Sequence, residues 1–376
     1  MIFTSLEILA LKGGVKMQAF HCKTKILSGK GALDWLDTQM CRSLLVVTDP
    51  YFMENGWAES LAGRVQTEQR HIFSQVKPDP TVELAAEGTA LMREAKPDLL
   101  IALGGGSAMD TAKAMVYFAG ENVKFVAIPT TSGSGSEVTN FSILTHDGVK
   151  YPLIDQRMQP DVAILAEELV EKLPPSLVAD GGFDVLSHAL ESVAATNATP
   201  VTRALAGSAF AAVFGKLGAS FRGDTRVRGD IHLASTMAGI AFSQSGLGAC
   251  HALSHALGGV FHIPHGRLNA ILLPEIVAAN ASEAGTAYAE IASLAGMGSS
   301  TETMAVRNLR NALVRLRKEL HLPATLQEAG VAPQKLRQQM EQIIAAALQD
   351  PCMDTNPVRG DAAMLRNILE AVSGRG

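Results

Sequence analysis

The run Asp98–Leu103, DLLIAL, passes without a break into Gly104-Gly105-Gly106-Ser107 and then into helical spacing from Ala108 to Ala119. An apolar strand, a glycine turn and a helix in immediate succession form the repeating unit of a parallel sheet covered on both faces. The alternation extends to both sides. A strand is predicted around Thr24–Leu27 and another over Ser43–Asp49 (SLLVVTD), followed by a helical stretch to about Glu68, then HIFSQV and a turn at Lys77-Pro78-Asp79-Pro80. Thr81–Lys96 reads as a helix with Leu84, Ala85, Leu91 and Met92 on its apolar side, and Lys124–Thr130 as a further strand. From Pro174 onward the strand signals vanish. Helical spacing is carried by Ser176–Ala195, Val201–Leu217, Arg226–Ser245, Ala249–Val260, Ala270–Glu283, Glu302–Leu320, Pro333–Leu348 and Asp361–Val372. The predicted fold is an α/β domain over residues 17–174 followed by an all-α domain over 175–376, with residues 1–16 as an N-terminal extension.

Glycines where a strand meets a helix let backbone N–H groups approach a phosphate, and the helix N-terminus favours negative charge there. The Gly104–Ser107 turn therefore suits a nucleotide, although it follows a later strand and is not the G-x-G-x-x-G of an ordinary dinucleotide fingerprint. A second small-residue loop, Pro129-Thr130-Thr131-Ser132-Gly133-Ser134-Gly135-Ser136-Glu137, follows the next strand, and its hydroxyls and amides suit a diphosphate or a carboxamide. Asp49, at its strand end, has two readings: an acceptor for an adenosine ribose that would repel the extra phosphate of NADP, or the cap of the next helix.

The chain has ten histidines, and His251, His255, His262 and His265 fall within the single stretch Cys250–Leu273. Upstream, Asp184 and His188 stand four apart, as do His251 and His255, so each pair shares a helix face. Pro264 ends one segment just before His265 and can turn that imidazole back toward the others. A carboxylate with imidazoles suits a divalent first-row ion. Softness does not separate Fe(II) from Zn(II) here, and an all-thiolate zinc site is excluded because Cys250 has no cysteine partners. His255 is placed to pass a proton rather than ligate, and His262 is read as a bystander.

Composition narrows the remaining classes. A net charge of −5 gives no basic field for nucleic acid. Charged residues make up only 18% against 47% hydrophobic, which suggests buried helix packing or subunit contacts and hence a homodimer or larger homo-oligomer. Cys22, Cys41, Cys250 and Cys352 show neither C-x-x-C nor a framework spacing, so a reducing cytoplasm is expected. Residues 1–16 are too short and broken for a secretory core or a membrane span. They are either an upstream-start extension or, through Phe3, Leu6, Leu9 and Ala10, a short docking helix.

GGGSAMDTAKA, IPTTSGSGSEVT, DGGFDVLSHALES and HALSHALGGVFHIPHGRLNAILLP closely resemble the signature regions of the iron-containing (group III) alcohol dehydrogenases, in order, from about Thr24 to the C-terminus. Within that family the chain looks like the 1-propanol and ethanol dehydrogenases of bacterial microcompartments. The resemblance implies an NAD-dependent enzyme that transfers hydride between a short-chain primary alcohol and nicotinamide, with shell or cargo proteins as partners. It implies iron, or zinc in its place, on Asp184, His188, His251 and His265, with His255 beside the substrate. It also implies NAD contacts from Asp49, Asp79, Gly104, Gly105, Gly106, Ser107, Thr130, Thr131, Ser134, Thr139 and Lys150. Asp79, Phe183 and Arg267 depart from the family pattern and bear on substrate size and cofactor details. The alternatives are a zinc-dependent glycerol dehydrogenase, a dehydroquinate-synthase-like lyase, which would need several Lys and Arg for its anionic substrate, and a non-catalytic shell-associated protein.

Overall fold

A computed structural model of the chain describes residues 19–120, 122–146 and 149–374; the expected extension at 1–16 lies outside them. Two compact units emerge. One comprises Cys22–Pro174 with Arg228–Gly239, and the other residues 19–21, 175–227 and 240–374. Residues 228–239, expected within the all-α domain of 175–376, thus group with the sheet-bearing unit.

The first unit carries strands β1 (Lys25–Ser28), β2 (Met40–Thr48), β3 (Gln66–Phe73), β4 (Leu99–Gly104) and β5 (Lys124–Pro129), then the antiparallel pair β6 (Phe141–His146) and β7 (Val149–Ile154), and finally β8 (Val162–Leu165). Six of them form one parallel sheet in the order β1-β8-β5-β4-β2-β3. Alternate residues serve opposite faces. Leu44, Val46, Ile101, Leu103, Val126 and Ile128 join one core with Leu33, Leu36 and Leu61, while Leu45, Val47, Leu100, Ala102, Phe125 and Ala127 join another with Met92, Met109 and Met115. That two-sided burial is why Leu44–Val47 and Leu99–Leu103 are apolar without interruption. Helices α1 (Pro50–Glu54), α2 (Trp57–Arg64), α3 (Val82–Ala95), α4 (Gly106–Ala119) and the single turn α5 (Glu167–Val170) complete the connections. Thr81 caps α3 by accepting from Leu84 N at 3.2 Å.

The second unit is helical: α6 (Pro175–Ala194), α7 (Pro200–Phe221), the end of α8 (Arg228–Ser245), α9 (Ala249–Phe261), α10 (His265–Ala279), α11 (Ala281–Leu294), α12 (Glu302–Glu319), α13 (Pro333–Gln349) and α14 (Ala362–Val372). By length and composition α7 could cross a membrane, and it packs along α6.

Four elements differ from expectation. The stretch read as helical to Glu68 ends at Arg64, and Gln66–Glu68 open the edge strand β3, whose polar exposed face conceals its period. The β6–β7 pair was missed because Pro152 interrupts VKYPLI. So was β8, whose four residues, VAIL, are too few to show a period. The helix expected over Ala270–Glu283 is two helices meeting at Asn280, a buried side chain hydrogen-bonded to Asn356 at 3.0 Å. That break is set by a residue far along the chain.

Candidate metal centre and nucleotide loops

In the helical unit, α6 carries Asp184 and His188 one turn apart, α9 presents His251 and His255, and α10 begins at His265 with Pro264 as its cap residue. The start of α10 can press onto α6 because residue 266 is glycine: a Cβ there would stand 1.9 Å from Asp180 O. The result is convergence on one oxygen. Asp184 Oδ1 lies 3.8 Å from His188 Nε2, 3.8 Å from His251 Nε2 and 3.5 Å from His265 Nε2. Asp184, His188 and His251 all offer ligand atoms within 4.8 Å of one another.

The 3.8 Å gaps are too long for hydrogen bonds. Ligand atoms about 2.1 Å from a shared tetrahedral ion stand roughly 3.4 Å apart, close to the spacings observed. His251 Nε2 is buried without a hydrogen-bond partner, a costly state for a polar atom that an ion would relieve. These residues fit a divalent cation. Burial would raise the Asp184 carboxyl, but the surrounding imidazoles hold it well below the usual carboxylate range. Burial likewise opposes a charge on His251, yet the flanking Asp184 and Glu191 lift it to about 9, so a bound ion would take the place of a proton there.

Three residues that the sequence reading did not single out support the cluster. Asn269, four residues into α10 from His265, donates through Nδ2 to Asp184 Oδ1 at 2.8 Å and accepts from Ser254 Oγ at 2.5 Å. Glu191 pairs with His251, and Asp350 Oδ2 stands 2.7 Å from His255 Nδ1. His255 is thus turned to Asp350 while its ring stacks on His265 at 5.2 Å. His262, exposed, ends α9 in the left-handed conformation at φ 54. Of the departures from pattern, Phe183 is wholly buried and Arg267 forms a two-pronged pair with Asp180 at 3.2 and 2.9 Å. The four cysteines are unbridged.

In the α/β unit the expected nucleotide contacts Asp49, Gly104–Ser107, Thr130, Thr131 and Ser134 lie at or just after the carboxyl ends of three neighbouring strands, β2, β4 and β5. β2 leads outward to β3 and the chain then returns to β4 on the other side, so the strand order reverses between β2 and β4. Ligands of open α/β sheets sit in the crevice at such a reversal. Asp49 follows β2 there and caps α1, one carboxylate oxygen accepting from Phe52 N at 3.2 Å. Its other oxygen lies 3.6 Å from where a Cβ of Gly104 would stand, so capping leaves it facing the glycine turn. Thr130 N donates to Gly104 O at 3.0 Å, Thr131 flanks Gly105 and Ser134 flanks Gly106, joining the two loops. Helix α4 starts at Gly106, two residues earlier than expected, which puts Ser107 in its first turn. The other expected contacts are engaged within the unit. Lys150 pairs with Asp79 at 2.8 Å, and Thr139 is wholly buried with its hydroxyl accepting from Lys113 Nζ at 2.9 Å.

His232 braces the second loop through Ser132 Oγ, 2.9 Å from its Nδ1. Burial pushes this imidazole down to about 4. It is therefore neutral when folded, whereas in the unfolded chain it takes a proton near 6.5. Its contribution is complete above about pH 6.5 and is lost as pH falls toward 4, about 3 kcal/mol in all. Urea unfolding between pH 7 and about pH 4.5 should show this decline in the native protein and a flatter one in His232→Asn. Equal slopes would remove His232 from the titration.

Comparison with known proteins gives a consistent picture. Residues 23–167 match the family described as iron-containing alcohol dehydrogenase, and residues 178–373 match the C-terminal part of the Fe-containing alcohol dehydrogenase family. The chain is 38% identical to the 1-propanol dehydrogenase PduQ of Citrobacter freundii, covering 94% of this chain and 99% of that protein. It is 36% identical to an NADPH-dependent butanol dehydrogenase of Clostridium saccharobutylicum, covering 95% and 98%. Among solved structures, an iron-containing alcohol dehydrogenase from Thermococcus thioreducens superposes with a TM-score of 0.85 at 31% identity, over 94% of this chain and 99% of that one. A 1,3-propanediol oxidoreductase superposes with a TM-score of 0.88 at 27% identity, over 95% and 100%.

Proposed function

This chain belongs to the iron-containing alcohol dehydrogenase family, and from that premise we propose that it interconverts a short-chain primary alcohol and its aldehyde with NAD and one divalent ion. The observation carrying this reading is the convergence of three imidazole nitrogens on Asp184 Oδ1. We assign Asp184, His188, His251 and His265 as the ligands and iron as the ion. Held by these residues, an ion would supply Lewis acidity toward the substrate oxygen, and NAD would supply the hydride-transfer chemistry. His255 commits Nδ1 to Asp350, which leaves Nε2 as the nitrogen for proton exchange with the substrate oxygen. With its side chain 22% exposed, His255 is also open to solvent for the onward transfer. Arg267 is the one Lys or Arg in the metal segments 180–193 and 250–270, and its guanidinium is engaged by Asp180. A phosphorylated sugar acid would find no uncommitted Lys or Arg on those segments, which argues against the lyase reading.

NAD is favoured over NADP by Asp49, whose carboxylate would repel a ribose phosphate. One relative at 36% identity is NADPH-dependent, so this residue is the place to test the preference. Asp49→Gly should raise the NADP-to-NAD ratio of kcat/KM by about tenfold or more. An unchanged ratio would withdraw Asp49 from that role.

Anaerobic reconstitution with Fe(II) or Zn(II), followed by NADH-linked assays on acetaldehyde, propanal, butanal and polyols, tests the function. Iron-restored aldehyde reduction is expected; turnover of polyols alone, with zinc alone, would replace this reading with a glycerol dehydrogenase. The similarity to the PduQ enzymes also supports a place among the cargo of a bacterial microcompartment, with residues 1–16 as the docking segment. Deleting them should leave turnover intact and abolish co-sedimentation with shells. Retained co-sedimentation would rule that segment out.

A further inference from the structure

Glu191 stands on α6 three residues after His188 and seven after Asp184, on the face that both occupy. Its side chain is 2% exposed, as is that of His251. One carboxylate oxygen, Oε2, lies 2.5 Å from His251 Nδ1, and the other, Oε1, accepts from Cys250 N at 2.6 Å. Room for the carboxylate at the start of α9 comes from Gly248, where a Cβ would stand 2.9 Å from Oε1. Both oxygens are therefore committed, and both face donors.

We infer that Glu191 is a positioning residue for the metal: it makes His251 Nδ1 the protonated nitrogen, so that Nε2 offers its lone pair beside Asp184. The inference rests on the metal assignment above and adds to it a residue that touches neither ion nor substrate. A ligand imidazole that donates its second N–H to a carboxylate is fixed in tautomer and ring orientation and is a more basic ligand. The carboxylate is required here because both of its neighbours donate. In Glu191→Gln the single amide oxygen can accept from Cys250 N or from His251 Nδ1 but not from both. If the amide nitrogen faces the ring, it calls for the opposite tautomer, with the proton on the nitrogen the metal needs.

The test compares native protein, Glu191→Gln and Asp184→Asn, each stripped of metal, by titration with Zn(II) against a chromogenic chelator, with NADH binding followed in parallel. Glu191→Gln should bind zinc about 10–100-fold more weakly, with NADH affinity unchanged. Unaltered zinc affinity in Glu191→Gln, alongside its loss in Asp184→Asn, would overturn the inference and leave the metal assignment standing. Unaltered affinity in both variants would overturn the assignment as well. Nitrogen-15 NMR of native, zinc-loaded protein selectively labelled at histidine gives a reading independent of whether the variant folds. His251 should show a protonated Nδ1 and a metal-shifted Nε2, and the reverse tautomer would overturn the role given to Glu191.

Discussion

His265→Ala is expected to abolish metal retention and to lower turnover by about 10³-fold or more, because the Lewis acid supplies several kcal/mol of transition-state stabilisation. This position separates the site from the scaffold better than the other assigned ligands. His188 and His251 are almost wholly buried, and Asp184 accepts a hydrogen bond from Asn269, so replacing any of them disturbs packing or polar pairing as well as ligation. The His265 side chain is one-third exposed at the first position of α10, where a truncated side chain leaves little cavity. NADH binding should be largely unchanged, since the residues proposed to contact the nucleotide belong to the other compact unit. Metal content after dialysis, NADH titration and single-turnover rates check the three parts separately. Full activity in a His265→Ala enzyme would remove this residue from the ligand set and with it the geometric basis of the assignment.

Lys113→Met should destabilise the α/β unit by about 3–5 kcal/mol. Lys113 lies in the GGGSAMDTAKA segment, wholly buried, and its ammonium donates to Ser136 Oγ at 2.8 Å, Thr139 Oγ1 at 2.9 Å and Phe141 O at 2.9 Å. These bonds tie α4 to the end of the second small-residue loop and to the segment that follows it. Burial pushes the lysine down while Asp110 and Glu137 pull it back up, and its three acceptors suit the charged ammonium. Burial raises the Asp110 carboxyl above its ordinary range even with that ammonium beside it. With methionine in place, Asp110 and Glu137 lose their buried counter-charge and three acceptors lose their donor. The measurement is urea unfolding followed by a probe in the α/β unit, with NADH affinity read on the folded fraction. A midpoint equal to that of the native protein would show that the carboxylates find other partners.

How far the site could be read in advance follows from where its information lies. The pairs Asp184/His188 and His251/His255 are visible because a four-residue step on a helix keeps side chains on one face. A three-residue step from His188 and a four-residue step from His265 likewise reach Glu191 and Asn269, yet a glutamate or asparagine on a helix ordinarily reads as a solvated residue. Asp350 carries no local signal, for it meets His255 across 95 positions of sequence. The roles of His255 and His265 are likewise beyond periodicity. Both belong to one histidine-rich stretch, and only the turn at Pro264 and the seat of α10 on α6 bring His265 Nε2 to Asp184 while His255 pairs with Asp350.

From the amino-acid order alone came the parallel sheet, the helical second half and the glycine turn at a strand end, because apolar periodicity and turn chemistry act over neighbouring residues. Tertiary structure decided the strand order that sets Asp49 beside Gly104, the break at Asn280, the antiparallel pairing of β6 with the Pro152-containing strand β7 and the spacing of three imidazoles about one carboxylate oxygen. Those depend on contacts between distant segments, where the burial of a polar atom or the absence of a single Cβ determines which side chains meet.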